Sequence, residues 1–365
     1  MREEEPDRQS GYAGNCEFLP LRDTSRFDRR ALGRYLGAIG IAYDPEQSIQ
    51  QFAGGFANRN YLLEIDGRRA VLRRPPSGEL PKGAHDMARE HRILRALSPV
   101  FELAPASLHY CSDPSVIGAP FQLLEYREGL ILRGAELPGE LPAAADEILG
   151  TGMIGALASI HAVDLDACGL GELGRPIGFL ARNIDGWRRR GRAAAVAGPQ
   201  SLLVEEIAAW LDAQRFADRA PRLLHSDFKL DNLVLDPATL GPRAVLDWDM
   251  GTRGDPIFDL ATLLSYWTQA DDPPGLVGAA MMPTAAPGFS SRQWAAERYA
   301  KITGCELDDL PGLYVLALLK LGVVFLQLHH RWLSGSVKSR RYALFGEQAL
   351  DVLAHAHQLT RGRAL

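Results

Sequence analysis

The residues best suited to chemistry lie in one segment in the second half of the chain. The sequence HSDFKLDN begins at His225 and ends at Asn232, and Asp247 follows after two short apolar runs. An aspartate followed five positions later by an asparagine, with a second aspartate after a short hairpin, is the spacing that kinases use for phosphoryl transfer. Asp227, Asn232 and Asp247 occupy these three positions.

The residue types at these positions fit that chemistry. A carboxylate is needed to orient an attacking hydroxyl and to accept its proton, so we interpret Asp227 as the catalytic base. Hard oxygen ligands are needed to hold Mg²⁺ against phosphates, and we interpret Asn232 and Asp247 as the metal ligands. The alternative is that these side chains only cap turns between short strands, as Asp and Asn often do.

Neighbouring polar residues are expected to support the site. Asp249 could reach a metal through water, whereas Asp255 before a proline and Asp259 at the start of an apolar helix are expected to be structural. His225 is expected to hold the catalytic loop by hydrogen bonds, because Asp227 already supplies a base. His161 lies on an apolar helix and is expected to be a core residue with satisfied hydrogen bonds.

The elements before residue 127 predict a small sheet with flanking helices. An Asp-Gly pair at Asp66 and Gly67 between two apolar runs predicts a hairpin. Apolar residues at helical or strand spacing predict helices at 27–41 and 86–97, and strands at 49–52, 60–65, 69–73 and 121–126.

The rest of the chain is mainly helical in pattern. The whole chain has 365 residues, which is enough for two lobes with a cleft between them. We predict a flexible segment 1–26, an N-terminal nucleotide-binding lobe 27–126 and a C-terminal lobe 127–365 for catalysis and substrate binding. The clearest helices are 144–162, 202–213 and 313–333, with short strands at 233–235 and 244–246 and a long mobile loop or lid at 271–290.

Composition argues against several classes of partner. A net charge of -5 gives no general attraction to nucleic acid or to an anionic membrane. The four cysteines are scattered, without zinc-ligand spacing or disulfide density, which indicates reduced thiols in a cytoplasmic protein. The first residues lack the pattern of a secretory signal. The apolar stretch 313–328, interrupted by Lys320, is shorter than the roughly 20 residues of a membrane span and is expected to be a core helix.

These motifs together resemble one enzyme family. HSDFKLDN, the DWD at 247–249, the GDP at 254–256 and the DLA at 259–261 are similar to the aminoglycoside phosphotransferase and choline kinase family. The similarity is greatest to the branch that resembles the kinase-like domain of some acyl-CoA dehydrogenases. It extends upstream through Gly54, Gly55 and the VLR at 71–73, and covers nearly the whole chain after about residue 27.

The resemblance implies an α+β, bilobal protein-kinase-like fold with ATP or GTP in the cleft and Mg²⁺ as cofactor. It places Arg73 at the position of the strand lysine that contacts the phosphates, and Glu90 at that of its helix partner. Glu125 and Tyr126 fall on the linker whose backbone binds the adenine ring. It also implies that Asp227 is the catalytic residue and that Asn232 and Asp247 bind Mg²⁺.

The glycine pair Gly54 and Gly55 lies between two predicted strands. Its backbone N–H groups could approach phosphates closely, which is the cofactor-binding interpretation. The alternative is a simple turn between strands. Only the position of the pair ahead of Arg73 favours phosphate binding.

Two positions depart from the pattern of the family. Ser226 stands where glycine is more common, a small change provided that the backbone does not need a positive φ angle. Arg73 replaces a lysine, and the two side chains differ in reach and geometry. A catalytically silent nucleotide-binding or ligand-sensing module of the same fold is therefore an alternative to an active kinase.

The charge of the C-terminal part bears on the substrate. From Ser290 onward there are six Asp and Glu against ten Lys and Arg. That balance favours an anionic hydroxylated substrate such as a hydroxyacyl-CoA or hydroxy acid. It disfavours a polycationic aminoglycoside, so an aminoglycoside kinase is the less favoured alternative. The bases could instead only form a solvated face. A protein substrate is disfavoured because no Ala-Pro-Glu motif follows Asp247. A monomer and a homodimer are both compatible with the sequence.

Overall fold

The computed structural model describes residues 18–20, 24, 26–53, 58–75, 86–137, 141, 144–195, 198–337 and 339–362. The predicted glycine loop at Gly54 and Gly55 and most of the predicted flexible segment 1–26 lie outside these residues.

The first part of the chain forms a five-stranded antiparallel sheet with two helices. The strand order is β1-β2-β3-β5-β4, and each neighbouring pair is antiparallel. The elements are α1 (Arg29–Ala38), β1 (Gln50–Gln51), β2 (Arg59–Ile65), β3 (Arg68–Arg74), α2 (Met87–Leu97), β4 (Ser107–Cys111) and β5 (Phe121–Glu125).

The β2–β3 hairpin turns at Asp66 and Gly67, whose φ angles are 49° and 70°. Left-handed conformation at both central residues matches the right-handed twist of the two strands, which is why Asp-Gly favours this turn. The resulting register places Arg73 opposite Asn60 on β2 and opposite Gln122 on β5. The hairpin thus places the predicted phosphate-contacting residue in the middle of the sheet.

The rest of the chain is mainly helical, with two small two-stranded sheets, β6–β9 and β7–β8. Its helices are α3 (Ala145–His161), α4 (Phe179–Ala194), α5 (Pro199–Asp212), α6 (Pro256–Tyr266), α7 (Pro274–Gly278), α8 (Arg292–Thr303), α9 (Leu310–Leu333) and α10 (Arg341–Leu359), and its strands are β6 (Arg222–Leu224), β7 (Leu233–Leu235), β8 (Pro242–Val245) and β9 (Thr252–Gly254).

Helix α9 is the central helix of the larger lobe. It has 24 residues and a mean hydropathy of 1.8 in its most apolar stretch, so by length and composition it could cross a membrane, and the expectation that it is too short was wrong. However, 78% of that stretch is buried inside the protein, mainly against α6, α4 and α10. The expectation that it is a core helix is confirmed.

Buried apolar side chains form two clusters. The smaller contains residues of α1, β2, β3 and β5, whereas the larger contains the C-terminal helices and also the inner face of α2. Helix α2 therefore packs toward the second lobe as well as lying beside the sheet. The bilobal, kinase-like α+β fold is confirmed by this arrangement, and the division at residue 126 stays a prediction.

The segment 271–290 is not the free lid that its Pro and Gly content predicted. It contains the short helix α7, and Leu276, Met282 and Thr284 are buried. The sulfur of Met282 accepts a hydrogen bond from the backbone N–H of Leu230, at 3.2 Å. Turn-forming residues here shape a compact connection that packs against the loop 225–232.

Candidate active site

The β7–β8 hairpin brings the two predicted metal ligands together. Leu233 pairs with Val245, and the N–H of Leu246 donates to the carbonyl of Asn232 at 2.8 Å. Asn232 and Asp247 therefore lie at the same end of the hairpin although they are distant in sequence. The side chain of Asn232 donates through Nδ2 to the carbonyl of Asp227, at 2.9 Å, which leaves Oδ1 as its acceptor.

The Asp227 carboxylate is held at both oxygens. The hydroxyl of Tyr266, at the end of α6, donates to Oδ1 at 2.7 Å, and the Lys229 ammonium forms a close ion pair with Oδ2. Burial raises the pKa of Asp227, but the positive charges of Lys229 and Lys320 outweigh burial and hold that pKa below its usual range. Asp227 is therefore an anion at neutral pH.

Asp259 and His225 fix the backbone of the loop that carries Asp227. The Asp259 carboxylate accepts hydrogen bonds from the backbone N–H groups of His225 and Ser226, both at 2.8 Å. The His225 ring is fully buried, with Nε2 2.8 Å from the carbonyl of Leu246 and Nδ1 3.3 Å from the backbone N of Asp227. A neutral ring, donating from Nε2 and accepting at Nδ1, satisfies both contacts. The expected loop-holding role of His225 agrees with this geometry.

The backbone at Ser226 does need a positive φ angle. Its φ is 68°, in the left-handed region that favours glycine, so the condition under which serine would be a neutral replacement is not met. The carbonyl of Ser226 accepts a hydrogen bond from the ammonium of Lys320 on α9. Polar contacts on both sides of this residue hold the unfavourable conformation.

Asp247 also has a left-handed backbone, with φ 68°, and its side chain faces the sheet. One carboxylate oxygen forms a close ion pair with the guanidinium of Arg73. Burial raises the pKa of Asp247, but the charges of Arg73 and Lys229 and the hydrogen bond from Arg73 together hold that pKa below its usual range. Asp247 and Arg73 join the two lobes directly.

Arg73 also pairs with Glu90, as the resemblance implied. Its Nε lies 2.9 Å from Oε2 of Glu90, and both side chains are almost fully buried. Glu90 further accepts hydrogen bonds from the Gln122 amide and from the backbone N–H of Trp248, the latter at 3.2 Å. A single carboxylate thus connects α2, β3, β5 and the loop after β8.

The acidic groups around Asp247 outnumber the nearby bases. Burial, followed by the charge of Asp247, raises the pKa of Asp249 to about 8. Burial is also the main cause of the raised pKa of Asp231, whose nearest cation is Lys229, at 3.8 Å. A cation placed here would meet a negative local field.

A cavity lies beside these residues, between the sheet and the second lobe. It holds about 770 Å³ of space including its mouth, and Arg73, Glu90 and Asp247 are among the residues that line it. Glu125 and Tyr126 line it as well, and the N–H of Glu125 already donates to the carbonyl of Ala106 at 2.8 Å. Its walls are largely apolar and include Val71, Leu94, Pro105, Leu124, Ile131, Val234 and Leu246.

A second, smaller hollow of about 200 Å³ lies behind Tyr266, between α6, α7 and α9. None of the eight residues that line it is charged. They are Ser265, Tyr266, Thr268, Leu276, Ala279, Met281, Leu321 and Phe325.

The other acidic and histidine residues singled out in the sequence have structural partners. Asp255 caps α6, accepting from the N–H of Ile257 at 2.8 Å, and pairs with Arg219 at 3.1 Å. The buried His161 lies 2.6 Å from the Tyr299 hydroxyl and 3.2 Å from Asp259. The structural interpretations of Asp255, Asp259 and His161 agree with these contacts.

Sequence reasoning missed three residues that contact Asp227 or Ser226. Lys229 lies inside the recognised motif, but no role was assigned to it. Tyr266 lies in an unremarkable apolar helix, and nothing in its spacing indicates the contact with Asp227. Lys320 did carry a signal, because a lone lysine inside a long apolar helix must find a buried partner.

Comparison with known proteins identifies the family. The model of the APH phosphotransferase enzyme family matches residues 48–292, which is more than half of the chain. Acyl-CoA dehydrogenase family member 10 of Mus musculus is 36% identical over 264 residues, which are 72% of this chain and 24% of that protein. The chain spans between 24% and 42% of the length of the curated relatives that it matches.

Solved structures agree with this result. A candidate aminoglycoside phosphotransferase from Ralstonia eutropha has a TM-score of 0.76 and 26% identity, covering 93% of this chain and 100% of that one. The aminoglycoside phosphotransferase APH(4)-Ia in ternary complex with AMP-PNP and hygromycin B has a TM-score of 0.59 and 15% identity, covering 92% and 99%. The latter similarity concerns the fold alone.

Proposed function

The chain belongs to the APH phosphotransferase enzyme family, and on that premise we propose that it transfers the γ-phosphoryl group of magnesium-bound ATP or GTP to a hydroxyl of a small molecule. One observation carries the proposal: Asp227, Asn232 and Asp247 converge at one end of the β7–β8 hairpin, and Asp247 also lines the interlobe cavity. This is the set of groups that phosphoryl transfer needs.

The nucleotide is proposed to occupy the larger cavity. Its apolar walls suit a purine ring, and Glu125 and Tyr126 offer backbone groups to the base. Arg73 would meet the phosphates, with Glu90 holding the guanidinium in place. Gly54 and Gly55 are proposed to contact the phosphates as well.

Asn232 and Asp247 fit Mg²⁺ by their chemistry. Both can offer oxygen atoms, and Mg²⁺ usually takes only one or two protein carboxylates with water and phosphate oxygens. Burial and then the charge of Asp247 raise the pKa of Asp249, and a cation at this site would offset that negative charge. The metal would neutralise charge on the β- and γ-phosphates.

Asp227 is proposed to orient the acceptor. Its carboxylate would accept a hydrogen bond from the attacking hydroxyl. The hydroxyl oxygen forms a bond to the γ-phosphorus as the bond between that phosphorus and the leaving nucleoside diphosphate breaks. The hydroxyl proton passes to Asp227. Because the pKa of Asp227 is low, this proton moves late, and most of the rate enhancement comes from positioning and charge stabilisation. Lys229, beside Asp227, is placed to neutralise the transferring group.

The acceptor is proposed to be a hydroxylated, anionic molecule such as a hydroxyacyl-CoA or hydroxy acid. The excess of bases after Ser290 favours an anion. The kinship with proteins named acyl-CoA dehydrogenases points to the same class. Such a substrate is consistent with a cytoplasmic enzyme, as a monomer or a homodimer.

A catalytically silent module is the second candidate. The observation that favours it is the engagement of Arg73 with both Asp247 and Glu90, because a nucleotide and its metal must compete for the same groups. Such a module would bind nucleotide without Mg²⁺, or not at all, and its function would not depend on Asp227.

Thermal unfolding with and without magnesium-ATP or magnesium-GTP separates the two candidates. A ligand at one hundred times its Kd stabilises a protein by roughly 2.7 kcal/mol. We expect a nucleotide to raise the Tm of the native chain but not that of Asp247→Ala, while Asp227→Asn keeps the shift and loses turnover in a screen of hydroxyacyl-CoAs, hydroxy acids and aminoglycosides. No shift with either nucleotide would refute the kinase proposal.

A further inference from the structure

Helix α9 carries one lysine in its buried part. Lys320 is only 5% exposed, and its neighbours Leu319 and Leu321 are buried apolar residues. Burying an ammonium group is costly unless hydrogen bonds and opposite charges compensate it. The compensation therefore shows what this lysine does in the fold.

The partner of Lys320 is the backbone next to Asp227. Its ammonium donates to the carbonyl of Ser226, and the N–H of Ser226 donates to Asp259 at 2.8 Å. Both backbone polar groups of Ser226 are thus held by buried charged side chains from two different helices. Ser226 is the residue with the left-handed φ of 68° that precedes Asp227.

We propose that Lys320 is a positioning residue for phosphoryl transfer: it holds the carbonyl of left-handed Ser226 and so fixes the direction in which the Asp227 side chain leaves the loop. This inference rests on the proposed function of Asp227. Lys229 contacts the Asp227 carboxylate, but Lys229 belongs to the loop itself and cannot anchor that loop to the core.

The charges around Lys320 agree with this role. Asp227 on the loop and Asp259 on α6 attract the ammonium, whereas Lys229 and Arg190 on α4 oppose it. Burial is the largest influence, and it lowers the pKa of Lys320. The ammonium is thus held in the core by the catalytic loop and the helix that anchors it.

The test combines Lys320→Met with Ser226→Gly in a double-mutant cycle. Glycine adopts a positive φ angle without help, so it should make the Lys320 contact less necessary. We expect Lys320→Met to leave the Kd for magnesium-ATP within about twofold and to lower turnover ten- to about a hundredfold, the cost of misplacing a reacting group by about 1 Å. In the Ser226→Gly background the same change should cost less than about threefold.

Turnover is read as phosphoryl transfer to the best acceptor from the screen, or as magnesium-ATP hydrolysis. Leu316→Met, one turn earlier on the buried part of α9, controls for placing a methionine side chain in this part of the core and should keep parental turnover. Unchanged turnover in Lys320→Met, or a loss that is equal in the serine and glycine backgrounds, would overturn the proposal. If Lys320→Met does not fold, the double variant is compared with Ser226→Gly. A loss of turnover greater than about threefold in that comparison would also overturn the proposal.

Amide hydrogen exchange of the unliganded chain gives a readout that needs no activity. Lys320→Met should speed exchange at residues 224–232 while β2 and β3 keep their protection. Unchanged exchange in this loop would count against the positioning role even if the enzyme is a kinase. Conversely, faster exchange in a chain that binds no nucleotide would show that the proposed function has failed and the loop contact has not.

Discussion

At the scale of single residues, the candidate site depends on two left-handed backbone positions. Ser226 and Asp247 both have φ 68°, a conformation that costs a side-chain-bearing residue roughly 1–2 kcal/mol. Each is held by buried charged partners, Ser226 by Asp259 and Lys320, and Asp247 by Arg73. The strain is thus part of the geometry that aims the two carboxylates.

Ser226→Gly is expected to stabilise the protein by up to about 1 kcal/mol, since relief of strain exceeds the added entropy of the unfolded chain. Urea unfolding monitored by circular dichroism measures this change. Ser159→Gly, within helix α3, is the control and should destabilise by roughly 0.5–1 kcal/mol because its backbone is helical. Destabilisation by both glycines would contradict the strain assigned to Ser226.

His225 predicts a pH dependence of stability. Burial lowers the pKa of its ring, and the unfolded value is about 6.5. Below about pH 6.5 the unfolded chain therefore binds the proton more readily, so the free energy of unfolding must fall as the pH falls toward the folded pKa. His225→Gln should cost stability at pH 7.5 but lose less of it between pH 6.5 and 5. Because His91 and His109 also have lowered pKa values, only the difference between the two chains isolates His225. Parallel pH curves would refute the assignment.

One part of this candidate site lies in a local sequence motif, whereas the partners of another part were not identified from the sequence. Asp227, Asn232 and Asp247 were identifiable because one loop and one hairpin place them, and their spacing is fixed by local structure. Tyr266 and Lys320 come from distant helices, where no spacing links them to the loop. Their contacts depend on how α6 and α9 pack, which is tertiary information.

At the scale of elements, close helix packing around α9 supports the loop. Gly191 on α4 lies against Val204 on α5 and Val323 on α9, and an added Cβ would come within 2.7 Å and 3.1 Å of their methyl groups. Helix α4 was missed in the sequence because six of its sixteen residues are charged. Its apolar stripe is narrow, with Ile184 and Trp187 buried, and Gly191 allows a close approach to α5 and α9.

Gly191→Ala should therefore destabilise the protein by roughly 1–3 kcal/mol through overpacking. Gly155→Ala, within α3 and with no atom within 4 Å of the added Cβ, is the matched control and should stabilise by up to about 1 kcal/mol. Chemical denaturation of both variants measures the two free energies of unfolding. A stabilising Gly191→Ala would mean that α4 and α9 approach less closely than the structure shows.

At the scale of the whole molecule, an ion pair of Arg73 joins the two lobes. Arg73 lies on the sheet of the first lobe, and Asp247 belongs to the second. The sheet was largely predictable because its strands and the Asp-Gly turn are local patterns. The packing of the larger lobe, including the compact segment 271–290, follows from burial around α9 and had no local signal.

Arg73→Lys tests this connection. Lysine keeps the positive charge but presents one compact ammonium, so it cannot pair with Glu90 and Asp247 as a guanidinium does. We expect the unliganded chain to lose stability and the increment given by magnesium-ATP to grow, because Asp247 is released more easily to the metal. A tenfold gain in affinity would add about 1.4 kcal/mol to that increment.

Arg74→Lys is the control for this change. Arg74 is the next residue on β3, is equally buried and donates to the carbonyl of Ile117 at 3.0 Å, away from Asp247. It should lower stability without altering the increment from magnesium-ATP. Calorimetric unfolding of the native chain and both variants, with and without nucleotide, measures the stability of each unliganded chain and the increment that nucleotide adds to it. If Arg73→Lys shrinks the increment, arginine is itself the better phosphate ligand and its pairing with Asp247 does not compete with the nucleotide.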